Sequence, residues 1–142
     1  MSFDFSQTYL YKMHRLTNSL DQAFDSALRH HANISLSQFT LLLAVQHFGT
    51  ATQRAVATFL DISPAAVSRQ VDIAANNGRI TIVEREDDRR THQLQVTTDG
   101  KRKITDGITT LEEHVFAIFR DENQRTNLMD HIETLQKNID RL

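Results

Sequence analysis

The chain has 142 residues, with 16 Lys+Arg, 18 Asp+Glu, no Cys, one Pro and four Gly. That length suits one domain, and the lack of Cys excludes a disulfide scaffold, a thiolate zinc site and cysteine-based catalysis or redox sensing. No apolar run approaches the ~18 residues of a membrane span, and Met1-Ser2-Phe3-Asp4-Phe5 lacks the basic start and apolar stretch of a signal peptide, so the expected compartment is the cytoplasm, with no membrane partner.

Only 39% of residues are apolar and 24% are charged. A lean core in a chain of ordinary length points to long helices that each bury one stripe or borrow a partner. The net charge of −2 is unevenly spread. Residues 53–103 carry nine Arg/Lys against seven Asp/Glu, and the remainder carries seven against eleven. A polyanion would meet the basic middle.

Tyr9, Met13, Leu16, Leu20, Phe24 and Ala27 recur at spacings of three and four, which predicts one face of a long first helix ending near His31-Ala32-Asn33. Ser35-Leu36-Ser37-Gln38 reads as a capping box, with Ser and Gln satisfying each other's backbone N–H groups. A short, very apolar helix follows (Phe39, Leu41, Leu42, Leu43, Val45), stopped by Gly49 and expected at the buried centre. Thr52 caps a third helix, Gln53 to Leu60, and Asp61-Ile62 is a turn. Ser63-Pro64 starts a fourth helix, because Ser caps and Pro fits a first turn that needs no N–H. It runs to Asn77, with Gly78 as its C-terminal stop. Ile80 and Ile82, then Leu94 and Val96, alternate with polar neighbours as two strands joined by the charged loop Glu84–Arg90. A fifth helix starts after Thr97 or Thr98, with an apolar seam Ile104, Ile108, Leu111, Val115, Ile118. Asp121-x-x-Gln124 caps a sixth, carrying Leu128, Ile132, Leu135, Ile139 and Leu142. Both seams step 4-3-4-3, a spacing that suits packing within the chain and also between chains.

Two short helices joined by a three-residue turn, then a hairpin with an Arg-rich tip, form the order of a winged helix-turn-helix. Val56, Ala57, Leu60, Ile62, Val67 and Val71 lock the two helices together. That leaves Ala65, Ala66, Ser68, Arg69 and Gln70 for the outward face. Short residues let a helix sink into a major groove, where Ser, Gln and Arg read base edges or phosphates and an Ala methyl packs on thymine. Arg85, Arg89 and Arg90 at the hairpin tip reach backbone or minor groove.

From Thr52 to Lys103 the sequence closely resembles the MarR family of bacterial transcriptional regulators. The resemblance is carried by Thr52-Gln53-Arg54, Ser63–Arg69, Gly78, Asp88-Arg89-Arg90 and Thr97-Thr98-Asp99-Gly100. It implies a mainly α fold with a small β-hairpin wing. The winged core would span about residues 35–97, between dimerisation helices over about 5–32 and 98–142. It also implies a homodimer on double-stranded DNA at a near-palindromic operator, and a ligand-responsive repressor taking a small aromatic or phenolic effector. The DNA-binding residues would be Gln53, Arg54, Ser63, Pro64, Ala65, Ala66, Ser68, Arg69, Gln70, Arg85, Asp88, Arg89 and Arg90, with Asp88 orienting Arg90 for a minor groove. Tyr9, Met13, Leu16, Leu128, Ile132, Leu135 and Ile139 would dimerise. Three departures stand out, the first being that the recognition helix ends Ile73-Ala74-Ala75-Asn76-Asn77 where a Leu-rich run is usual. Arg79 follows the helix-ending Gly where an aliphatic residue is usual, and the 84–90 loop carries four acids against three bases.

The chain has no Gly-rich phosphate loop and no Gly-x-Ser-x-Gly elbow, so neither an enzyme nor a cofactor is expected. His30-His31, His47, Glu113-His114 and Asp130-His131 do not form the i, i+4 pair of a one-helix metal site, and His30 and His31 are expected on different sides of their helix. The alternatives on this scaffold are a metal-responsive regulator, with a site assembled across helices, and a winged-helix adaptor that binds protein.

Overall fold

In the computed structural model, the described residues are 4–84 and 92–142. A short 3-10 turn (Phe5–Gln7) leads into α1 (Tyr9–Ala27), which continues as one π-helical turn over Leu28–Ala32 and ends on Asn33 in the left-handed region. Then come α2 (Leu36–Phe48), α3 (Gln53–Leu60), α4 (Pro64–Asn76), β1 (Ile80–Glu84), β2 (His92–Val96), α5 (Thr98–His114), a 3-10 turn (Phe116–Ile118) and α6 (Glu122–Ile139). The strands pair antiparallel, from Ile80 opposite Val96 to Glu84 opposite His92.

The caps sit where the residue types place them. The side-chain oxygens of Ser35, Thr52, Ser63, Thr97 and Asp121 each accept the N–H three residues on, at 2.8–3.2 Å. Each satisfies a donor that its helix leaves without an internal acceptor. The expected box at Ser35 is only half made. Gln38 does not reach back to close it, because its side chain turns to α4 and donates to the Gln70 carbonyl at 2.9 Å. At α6 the reciprocal contact does form, shifted one residue, with Gln124 accepting from the Arg120 N–H at 2.7 Å.

The core gathers around α2. Leu28, Leu42, Val45, Val56, Val67, Val71, Ala74 and Leu94 have no exposed surface at all. Two glycines let α5 approach it. A Cβ on Gly107 would lie 2.3 Å from the Phe39 ring, and one on Gly100 would lie 2.3 Å from the Arg79 carbonyl oxygen. Ala51 joins the hairpin through a pair of backbone bonds with Leu94, at 3.1 and 2.7 Å, a link not foreseen in the sequence.

Lys103 donates to the Ala32 carbonyl at 2.8 Å and Arg79 to that of Asn33 at 3.3 Å. Both cations meet the carbonyl end of the first helix, where its dipole favours positive charge. Asp25 ties α1 to α2 by accepting from Arg29 Nε at 2.6 Å and from the Leu36 N–H at 2.8 Å. Those two bonds, the Arg29 one foremost, hold its carboxyl below the usual range.

Three sequence expectations need correction. The fifth helix stops at His114 and not at Ile118: Val115 turns into the core at 2% exposed, while Ile118 lies 55% exposed in the 3-10 turn. His114-Val115-Phe116 is a run of weak helix formers, a signal that apolar spacing ignores. Ile62 does not lock α3 to α4; it is an exposed residue, since its place in the turn carries it past the α3–α4 contact. His30 and His31 do not diverge: their rings meet edge to face at 5.0 Å, because the π turn rotates them away from α-helical spacing.

Candidate nucleic-acid interface

The helix-turn-helix is built by α3 and α4. Val56 and Ala57 on α3 are buried against Val67 and Val71 on α4, and Ala57 is small at the point of approach. Asp61 takes the left-handed region (φ 52°), so that the chain turns within three residues. Val67, Val71 and Ala74 are the buried side of α4. At 3.6 residues per turn the opposite side is Ala65, Arg69, Asp72 and Asn76, all exposed.

The predicted recognition residues therefore divide. Ser63, Pro64, Ala65, Ala66 and Arg69 are exposed at the start and outer face of α4, and Ser68 is half-buried on its flank. Gln70 is not on the outer face: it lies towards α2, where its backbone carbonyl and side chain both accept from Gln38. On α3, Arg54 is exposed and Gln53 half-buried, one turn after the Thr52 cap. Asp72 and Asn76 were missed, although their spacing from Arg69 and Ala65 carries the signal. Asp72 puts a carboxylate one turn from Arg69, which narrows the basic surface to a single guanidinium on this face.

The hairpin leaves α4 through Gly78 and Arg79. Thr97 closes its base, donating from its hydroxyl to the Gly78 carbonyl at 2.7 Å and from its N–H to the Arg79 carbonyl at 3.0 Å. The strands thus project next to the end of α4. Arg85, Asp88, Arg89 and Arg90 lie outside the described residues.

Residues 32–91 match the family model described as MarR family. Over that segment the chain is similar to the MarR family. A curated relative, the uncharacterized HTH-type transcriptional regulator YhbI of Bacillus subtilis (strain 168), is 26% identical over 102 residues. The match covers 72% of this chain, and the chain spans 61% of that relative's length. The fold is shared with BpsR of Bordetella bronchiseptica, at TM-score 0.81 and 16% identity over 96% of this chain and 98% of that one. It is shared also with CouR of Rhodococcus jostii RHA1, solved on a 23-mer DNA duplex, at TM-score 0.84 and 18% identity over 96% and 99% of the two chains.

Around the winged core, the terminal helices present apolar side chains with nothing over them. Tyr9, Met13 and Leu16 on α1 are 68%, 41% and 49% exposed, and Ile132, Leu135 and Ile139 on α6 are 49%, 42% and 59% exposed. Leu128 is half-buried. Neither α1 nor α6 buries a single residue.

Where the first helix ends, His31 stacks on His114 with ring centres 3.8 Å apart. Desolvation, then the neighbouring His114 and His30, lower the pKa of His31. Among the described residues no group of three or more His, Asp or Glu is arranged to hold a metal ion. Among them, too, no helix is long and apolar enough to cross a membrane.

Proposed function

We propose that the chain is a sequence-specific, DNA-binding transcriptional regulator of the MarR type, acting in the cytoplasm as a homodimeric repressor on a near-palindromic operator, and not an enzyme. The observation that carries this reading is the outer face of α4. A helix whose inner side is wholly buried presents Ala65, Ala66 and Arg69 beside its capped start, small residues around one guanidinium. Such a surface enters a major groove and reads a base or phosphate there.

The bare faces of α1 and α6 support the dimer. A soluble monomer rarely leaves so broad an apolar surface in water, and a two-fold pairing would cover both on the order of 2,000 Å² or more. Pairing would also present two α4 helices, one to each half of a near-palindromic site. The proposed wing role of Arg85, Asp88, Arg89 and Arg90 rests on the Asp-x-Arg motif alone. A response to a small aromatic acid is supported by BpsR, whose DNA binding is regulated by 6-hydroxynicotinic acid. CouR, a transcriptional repressor bound to DNA, supports the repressor reading.

Selection of bound sequences from random duplex DNA tests the function and supplies the site. On the selected duplex, Arg69→Ala should cost about 1–3 kcal/mol if Arg69 reads a base. Loss of equal size on all sequences, with a shallower salt dependence, would place it on a phosphate instead. Unchanged binding would remove Arg69 from the interface, and failure to enrich any sequence would overturn the function.

A further inference from the structure

Arg79 stands where α4, the hairpin and α5 meet. Its backbone is held on two sides. Its N–H donates to the Ala74 carbonyl in the last turn of α4 at 2.9 Å, and its carbonyl accepts from the Thr97 N–H at the base of the hairpin at 3.0 Å. Gly100, in the first turn of α5, lies so close that a Cβ there would fall 2.3 Å from the same carbonyl oxygen. In so close-packed a seat the Arg79 backbone moves with α4 and the hairpin as one piece.

Its side chain leaves that piece. Half-buried, it donates from Nη2 to the Asn33 carbonyl, 46 residues back, at 3.3 Å. Asn33 is the left-handed residue that ends the first helix. Among the described residues this is the hydrogen bond that joins the first helix to the stretch from α4 to β1. Asp99, the carboxylate nearby, does not draw the guanidinium away, because it accepts from Arg102. A cation on the last carbonyls of a helix gains from the dipole as well as from the bond. Lys103 meets the same helix end at the Ala32 carbonyl, but it comes from α5.

The other part of the first helix carries the bare stripe of Tyr9, Met13 and Leu16. Arg79 thus links the helix proposed to pair two chains with the helix proposed to enter DNA. Leverage makes that joint matter. α4 has 13 residues, so its start lies about 20 Å from Arg79 at 1.5 Å per residue. A swing of about 10° at the joint displaces that start by about 3.4 Å, one base-pair step along a strand.

We propose that Arg79 is a positioning residue: by tying α4 and the hairpin to the end of the first helix, it fixes the separation of the two recognition helices in the dimer, and with it the half-site spacing that the dimer accepts. The role rests on the homodimeric, DNA-binding reading and goes beyond it, because Arg79 acts through the placement of α4 and not through contact with DNA.

The chain has no Cys, so Ala65→Cys gives one spin-label site per protomer at the start of α4. Pulsed dipolar spectroscopy of the labelled dimer reads the separation of the two helices without DNA. With Arg79 in place the distance distribution should be narrow. Arg79→Met, which keeps the apolar stem and loses the donors, should broaden it by about 3 Å or more, the size of that base-pair step. Arg79→Lys, which restores a cation, should narrow it again. On the unlabelled chain, selected half-sites moved one base pair apart or together should bind the wild type about tenfold or more weaker than the selected spacing, and Arg79→Met about threefold weaker or less. Lys103→Met, which releases the same helix end from α5, should leave both readouts as in the wild type. Equal widths in the wild type and a folded, dimeric Arg79→Met overturn the proposal, as does a Lys103→Met that broadens as much or an Arg79→Lys that stays broad. A monomeric chain overturns it too, having no pair of helices to space. If the widths respond as stated and no duplex is bound with sequence preference, the DNA-binding reading falls and the joint stands. If duplexes bind and Arg79→Met keeps the full spacing preference, the DNA-binding reading stands and the positioning role falls.

Discussion

The winged core and the terminal helices are built from similar residues and differ in what covers them. In the core, α2 is apolar nearly all round and closes on α3, α4, the hairpin and α5, so that Leu42, Val45, Val56, Val67, Val71 and Leu94 lose all contact with water. In α1 and α6 the apolar side chains form single stripes, and those stripes stay wet. The hydrophobic driving force is proportional to the area removed from water. The core therefore accounts for its own folding within one chain, while the terminal stripes contribute fully only when another surface meets them. The polar fastenings follow the same division. Asp25, Lys103 and Arg79 all tie the end of the first helix to the core, and none of them covers its exposed stripe.

This contrast is sharpened most by truncating one residue of the core. Leu42→Ala should lower the stability of the chain by about 2–5 kcal/mol, because a fully buried Leu leaves a cavity as well as lost transfer energy. Urea unfolding measures it. A loss below about 1 kcal/mol would mean that the core is less tightly closed than its burial implies. Overpacking should cost somewhat less. Gly107→Ala places a methyl 2.3 Å from the Phe39 ring, in a seat that cannot widen freely, and about 1–3 kcal/mol is expected. Phe39→Leu in the same chain should recover part of that loss; if the two losses simply add, the contact is not the cause.

The smallest effect concerns the fastening between the two regions. Asp25→Ala removes an acceptor shared by Arg29 and the Leu36 N–H, a loss of about 1 kcal/mol once partial exposure is allowed for. The sign with pH follows from the lowered carboxyl pKa. The unfolded chain holds its proton up to a higher pH, so the stabilising part is present above the ordinary Asp range and fades as pH falls through the lowered value. Wild type and variant should differ at neutral pH and converge in acid. A gap that is constant with pH would assign the loss to packing and not to the charge.

Local features were legible in the sequence because few residues decide them. Ser35, Thr52, Ser63, Thr97 and Asp121 act as caps through atoms three positions away, and the α3 boundaries follow from a cap and an apolar face alone. Partners far along the chain were not legible. Gln38 looked like half of a capping box, yet its partner lies 32 residues on, and that contact also draws Gln70 off the outer face of α4. The Ala51–Leu94 link and the stacking of His31 on His114 are of the same kind. Asp72 is of the local kind, since helical period alone places its carboxylate beside Arg69. The wing tip, with its Asp-x-Arg motif, lies outside the described residues.

The central claim is that the terminal stripes are covered by a second copy of the chain. Sedimentation equilibrium of the wild type beside the double variant Ile132→Asp, Leu135→Asp tests it directly, with circular dichroism to show that both remain helical. The wild type should sediment at twice the chain mass at micromolar concentration, and the variant as a folded monomer, since two carboxylates would otherwise be buried unpaired in the seam. A monomeric wild type, or a variant that stays dimeric, would contradict it.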